Sequence, residues 1–383
     1  MHAAEPGLRT FTPVIDQHAS WIAVNPVQGC PKRCAYCFLH ERSQAGVAPV
    51  QVATPAEAAE MLLASPFYAP ERAVALFTWT DVMAVAASRA YAADLLARLA
   101  AARLPNPVVL ITKCRIPGDM ADAITSARNA GLRVIVYLSY SGLDSSVEAG
   151  IRHEQLTANF PLLAAAGIPV VHYWRPALPA SATTEVMTRV LDLAARYAAC
   201  TMAAGLKVEP AALSRLSRHW PELATAAGAA EAECVYPAAF WEFIHRAGDL
   251  HPGYPVFHAN SCALAYALGE ADRFGVYGSH VCTTRNRCPA AQRARGAASA
   301  STAPPVTAAR AAAALASRVL AGTGFDLDPG TRTLAVRAVL PNAVASALTQ
   351  DLGIRVVSGG QGDDAYWSSG TSGAQPLVIG GGQ

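Results

Sequence analysis

Six short apolar runs recur between residues 20 and 210, each ending in polar residues and each followed by a segment of helical spacing. They cover residues 21–26, 74–77, 107–111, 134–138, 168–174 and 201–208. Strand and helix in strict alternation predict a parallel sheet joined by crossover helices. Parallel strands are buried on both faces, so they read as unbroken apolar runs. The expected fold class is α/β: a partial (β/α)6 barrel over residues 20–210. Ligand sites in such sheets lie at the carboxyl ends of the strands. The polar tails Thr78-Trp79-Thr80-Asp81, Thr112-Lys113, Ser139-Tyr140-Ser141 and Arg175 therefore mark where chemistry belongs.

The intervening helices are read at 54–64, 88–103, 119–130, 148–166 and 184–198. Thr54 as N-cap, Pro55 at the first helical position and Glu57 in the first turn open the first of them. Gly131 closes the third. With 52% hydrophobic and only 15% charged residues, the 383-residue chain readily builds a large core.

One loop stands out beside the first strand. Gly29-Cys30-Pro31-Lys32-Arg33-Cys34-Ala35-Tyr36-Cys37-Phe38 has the spacing C-x-x-x-C-x-x-C, with an aromatic residue before the third cysteine. Three thiolates this close can converge on one metal centre. Zinc normally takes four protein ligands at wider spacing, so a zinc site would need a partner such as His40. Buried thiols without a metal are the bland alternative. A cubane 4Fe–4S cluster can be held by three cysteines, with its fourth iron open to another ligand.

This motif resembles the radical S-adenosylmethionine (SAM) superfamily. The resemblance implies that Cys30, Cys34 and Cys37 hold a 4Fe–4S cluster and that the open iron binds SAM. It implies reductive cleavage of SAM to methionine and a 5′-deoxyadenosyl radical, which abstracts hydrogen from a substrate. It also implies an electron donor such as flavodoxin or ferredoxin. The stretch 78–81 departs from the family's commoner Gly-Gly-Glu form and is similar to the Thr-Asp form of the spore photoproduct lyase-like branch. By the resemblance, Thr78, Thr80 and Asp81 contact the SAM amino group, and Ser139 and Ser141 its ribose or carboxylate. Asp81 would serve equally well as a helix N-cap. Arg175-Pro176-Ala177-Leu178-Pro179 resembles the family's Arg-Pro-x-x-Pro segment, making Arg175 a candidate for the SAM carboxylate. Arg152, read on a helix, is a weaker candidate for the same role.

Beyond the barrel, residues 211–296 read as a helical and loop extension with a second cysteine group: Cys262, Cys282 and Cys288 in polar, loop-like surroundings. These resemble an auxiliary iron–sulfur site, a second 4Fe–4S cluster. The alternatives are free thiols, a zinc site with His258 or His280, or a catalytic hydrogen donor such as Cys282 or Cys288. Cys114, Cys200 and Cys234 adjoin apolar segments and read as buried thiols. Arg285, Arg287, Arg293 and Arg295 form a local basic cluster. Residues 297–305 read as a low-complexity linker, residues 306–383 as a small α/β appendage and residues 1–19 as an N-terminal extension.

Several function classes are disfavoured. Net charge is +2, which argues against duplex nucleic acid as a partner and against photoproduct repair. No stretch approaches the ~20 apolar residues of a membrane span, and residues 1–12 do not read as an export signal. Nine cysteines without such a signal point to reduced thiols or clusters in the cytoplasm. The expected activity is radical SAM chemistry on a small metabolite, a sugar or nucleoside of a biosynthetic pathway. Sulfur insertion or oxidation would follow from a second cluster, and epimerisation from a lone thiol donor. A non-catalytic metal-binding or redox-sensing protein is the reading from another class.

Overall fold

The computed structural model describes residues 8–231, 234–272, 288–318, 320–359 and 376–380. Its centre is an eight-stranded sheet. The strands are β1 (Ile15–Gln17), β2 (Ile22–Val24), β3 (Val74–Leu76), β4 (Pro107–Thr112), β5 (Arg133–Leu138), β6 (Val170–Trp174), β7 (Cys200–Ala203) and β8 (Val256–Phe257). Their spatial order is their chain order, and the sheet does not close. From β2 to β8 every pairing is parallel, and β1 is an antiparallel edge strand. The six apolar runs thus form β2 to β7 of an open, partial barrel, as their pattern predicts. Strands β1 and β8 were not read, because three and two residues carry too little pattern.

Alternate residues of each strand pack to opposite sides, as strand geometry requires. Val108, Leu110, Val134 and Val136 meet the crossover helices through Leu95, Leu99, Ile124 and Phe160. Val109, Ile135, Tyr137, Val171 and Met202 face the other way, against Ala263 and Leu264 of the helix Asn260–Leu268. That helix is tied to the sheet by Tyr137, whose hydroxyl donates to the Asn260 carbonyl (3.2 Å), and by the Cys200 thiol on the Ala263 carbonyl (3.5 Å). The helix at Pro55–Leu63 carries a full capping box between Thr54 and Glu57.

A three-stranded sheet (Phe325–Asp328, Thr333–Val336, Arg355–Ser358) and the helices Ala308–Ala316 and Asn342–Leu352 share a separate core around Leu334, Leu348 and Val356. This unit docks on the β1 edge. Arg72, 1% exposed, donates to Gln17 (3.2 Å), to the Phe67 and Ala347 carbonyls and to Asp351. Asp351 also takes Arg318 (2.8 Å), and Gln350 donates to the Ala19 carbonyl (2.9 Å).

Three readings need correction. Residues 148–166 are not one helix: Glu148–Ala149 is a short strand paired with Arg33–Cys34, and the helices are His153–Thr157 and Asn159–Ala165. Gly150, at φ +87°, breaks the helical path. The stretch read as a linker is largely helix, Ala290–Thr302, because alanine propensity outweighs low complexity. Cys262 lies inside the helix Asn260–Leu268 rather than in a polar loop. Cys282, with His280, Arg285 and Arg287, lies outside the described residues.

Candidate metal centre

The cysteine loop leaves β2 and is shaped by backbone pairing before any side chain is considered. Gly29 turns it at φ +95° and donates to the Trp79 carbonyl (3.1 Å). The φ is one that side chains rarely adopt, and a Cβ at Gly29 would also stand 3.2 Å from the Ala48 carbonyl oxygen and displace the end of the Arg9 side chain. Cys30 N donates to the Gln44 carbonyl (2.8 Å), Ala35 N to Val147 (2.7 Å) and Cys37 N to Cys34 (3.0 Å). From the other side Arg215 donates to the carbonyls of Ala35 and Cys37, and Glu41 holds it bidentately, Oε1 accepting from Nε at 3.1 Å and Oε2 from Nη2 at 2.8 Å.

Cys30 and Cys34 are buried, Cys37 is half-buried, and none is in a disulfide. Burial pushes the thiols up to about 12, 12 and 11 respectively. Smaller contributions come from one another: Cys37 acts on Cys30, Cys30 on Cys34, and Cys34 on Cys37. Among the described residues no three His, Cys, Asp or Glu side chains already stand at metal-binding spacing. His40 Nε2 donates to the Cys34 carbonyl oxygen at 3.0 Å, which leaves Nδ1 as its acceptor nitrogen. Three soft sulfur donors at this close spacing on one loop suit an iron–sulfur cubane, whose fourth iron needs no protein ligand, better than the wider spacing of tetrahedral zinc sites.

The carboxyl ends of β3 to β6 surround this loop. Phe77 sits at φ +62°, a strained conformation for a bulky residue, and swings residues 78–80 across the loop. The Thr80 hydroxyl donates to the Gly29 carbonyl (2.6 Å), and the Thr78 hydroxyl to Asn25 Oδ1 (3.0 Å). Asp81 caps the short helix after it through Met83 N (3.1 Å) and accepts from Thr112 Oγ1 and Lys113 N, both at 2.7 Å. Thr80 and Asp81 therefore brace the site with the groups proposed for SAM. Asn25 is fully buried, and its Nδ2 has no hydrogen-bond partner among the described residues. It is a donor aimed at nothing the described chain supplies.

Behind the cysteine loop lies a fully buried carboxylate that the sequence reading missed. Glu148 Oε1 accepts from the Tyr36 hydroxyl, from Lys113 Nζ (2.8 Å) and from Ser141 Oγ (3.0 Å). Its Oε2 lies 2.8 Å from His153 Nε2. Burial alone would raise its pKa. The Lys113 charge and the hydrogen bonds of His153, Lys113 and Tyr36 outweigh that and hold it at about 2. Lys113 Nζ also donates to the Ser139 (3.1 Å) and Arg175 (3.4 Å) carbonyls, and Ser139 Oγ to the latter at 3.4 Å. Arg175 Nη1 donates to the Tyr173 hydroxyl (3.0 Å). Arg152 is exposed, at the start of the helix His153–Thr157. The signals for the missed residues were present: Tyr36 lies within the motif, and Lys113 ends a predicted strand. Glu148 was hidden by its assignment to a helix.

Cys262 and Cys288 both pack, half-buried, against the apolar cluster around Tyr137, Phe257 and Leu264. The structure thus brings together Cys30, Cys34, Cys37, Thr78, Thr80, Asp81, Ser139, Ser141 and Arg175 around the strand ends, and places Cys262 and Cys288 against the cluster on the sheet face that the helix Asn260–Leu268 covers.

No family model and no curated protein matches the chain. Among solved structures, spore photoproduct lyase complexed with dinucleoside spore photoproduct aligns at 16% identity and a TM-score of 0.47, over 61% of this chain and 75% of that one. Streptococcus suis SuiB bound to S-adenosylmethionine aligns at 14% identity and a TM-score of 0.36, over 53% of this chain and 47% of that one.

Proposed function

We propose that the chain is a radical SAM enzyme, with Cys30, Cys34 and Cys37 as ligands of a 4Fe–4S cluster. The observation that carries this is the loop itself: three cysteines at C-x-x-x-C-x-x-C spacing on one backbone-clamped segment beside the carboxyl ends of a parallel sheet. When bound, the cluster supplies one electron to SAM, which yields methionine and a 5′-deoxyadenosyl radical. The chain's own part is binding and orientation. Arg175 is our candidate for the SAM carboxylate, and Thr78, Ser139 and Ser141 for its remaining polar groups. Thr80 and Asp81 act chiefly by bracing the loop, as their bonds to Gly29 and to Thr112 and Lys113 indicate.

The favoured substrate is a small metabolite, with a flavodoxin or ferredoxin as electron donor and a cytoplasmic setting. The near-neutral charge of +2 supports this over duplex DNA, and no described helix is long and apolar enough to cross a membrane. Cys262, Cys282 and Cys288 remain our candidates for a second cluster or a hydrogen-donating thiol. The test is 5′-deoxyadenosine formation by the anaerobically reconstituted protein under dithionite. Wild type should form it, and the Cys30/Cys34/Cys37→Ala variant should not. An iron-loaded wild type that forms none is a metal-binding protein of another kind.

A further inference from the structure

The side chain of Glu148 joins the parts from which the centre is built. Tyr36 lies between Cys34 and Cys37, and its hydroxyl donates to Glu148 Oε1. The same oxygen takes Lys113 from the end of β4 and Ser141 from beyond β5. Lys113 carries the tie onward to the carbonyls of Ser139 and Arg175, and its ammonium lies 5.5 Å from the centre of the Tyr36 ring. The main chain repeats the connection: Cys34 is the register partner of Glu148. One buried carboxylate thus ties the cysteine loop to the ends of three strands.

A core that needed only filling would use an apolar residue here. A carboxylate at 0% exposure is costly to bury unless its partners compensate it, and those partners fix its position. Cys30 is held by backbone pairing to Gln44. The turn from Cys34 to Cys37 is gripped on one side by Arg215, at the carbonyls of Ala35 and Cys37, and on the other by Tyr36, whose anchor is Glu148.

We propose that Glu148 is the positioning residue of the cysteine loop, holding Tyr36 and with it the turn from Cys34 to Cys37. The inference rests on reading the three cysteines as a ligand set, and its test separates the two. In the reduced, metal-free full-length chain, iodoacetamide labelling of each cysteine is followed by peptide mass spectrometry, with Cys262 as internal reference. Glu148→Gln and Tyr36→Phe should each speed labelling of Cys34 and Cys37 about tenfold, the scale of one lost hydrogen bond to a charged group. Cys262 should not change. The double variant should add little to either single change, because both cut the same tie. After reconstitution, Glu148→Gln should also alter the electron paramagnetic resonance signature of the cluster.

Wild-type labelling rates and an unchanged spectrum in Glu148→Gln would overturn the proposal and leave Glu148 a buried structural group. If Glu148→Gln does not fold, Tyr36→Phe, which removes one hydroxyl, decides alone: faster labelling supports the tie, and no change overturns it. A wild type that binds no iron, while the labelling differences hold, defeats the ligand-set reading and leaves the tie standing.

Discussion

Lys113 Nζ lies 2.8 Å from Glu148 Oε1 in a site where the carboxylate is fully buried and the lysine side chain is 14% exposed. Neither charge is tolerable there alone. Lys113→Met should therefore lower unfolding free energy by roughly 3–5 kcal/mol, the scale of an uncompensated buried charge. Urea denaturation of the metal-free chain checks it. A loss below ~1 kcal/mol would mean that Tyr36, Ser141 and His153 satisfy the carboxylate without the lysine.

Gly29→Ala should disable the cysteine loop while sparing the rest of the sheet. The added Cβ would meet the Arg9 guanidinium and the Ala48 backbone at a φ that side chains rarely adopt. The expected outcome is loss of most iron binding with a near-native far-ultraviolet circular dichroism spectrum. Iron retention at the wild-type level would show that the loop yields.

Arg72→Met should loosen the C-terminal unit from the β1 edge. The guanidinium is 1% exposed, and Asp351 would lose it while keeping Arg318. A destabilisation of roughly 3 kcal/mol is expected. Limited proteolysis should then cut near residues 303–307 earlier than in wild type, and an unchanged cleavage pattern would contradict the anchoring role.

His172 makes stability depend on pH. Burial lowers its pKa from 6.5 to about 4, although the hydrogen bond to the Tyr140 carbonyl (2.8 Å) acts the other way. That carbonyl requires Nε2 to carry the proton, so Nδ1 accepts from Thr201 Oγ1 (2.9 Å), which accepts from the Tyr254 hydroxyl. The unfolded chain binds a proton more readily than the folded one. The neutral histidine's contribution is therefore complete above pH 6.5 and falls as pH drops towards about 4. The loss across that window is about 3 kcal/mol. His172→Gln should flatten this part of the stability profile, and a slope equal to wild type would contradict it.

The barrel was legible because parallel strands write their burial into unbroken apolar runs, and β2 to β7 are such runs. The cysteine loop was legible because its three cysteines are local in sequence. Glu148 was not. Its partners lie 5, 7, 35 and 112 residues away, and a carboxylate before Gly150 looks no different from a helix surface residue. Thr80 and Asp81 show the converse. The polar strand tail was visible, but whether its groups face a ligand or brace a neighbouring loop is decided by Gly29, Thr112 and Lys113 in space. The helix Ala290–Thr302 was hidden by composition, since alanine-rich sequence serves both linkers and helices.

The most direct test of the central claim is iron and sulfide per chain after anaerobic reconstitution, read with electron paramagnetic resonance, in wild type and in the Cys30/Cys34/Cys37→Ala variant. The account predicts a cubane's worth of about four irons in wild type that is missing from the variant. Iron retained by the variant beyond that loss would belong to a second cluster and move Cys262, Cys282 and Cys288 to the front. Equal iron and equal spectra in both proteins would contradict the assignment of the loop as the ligand set.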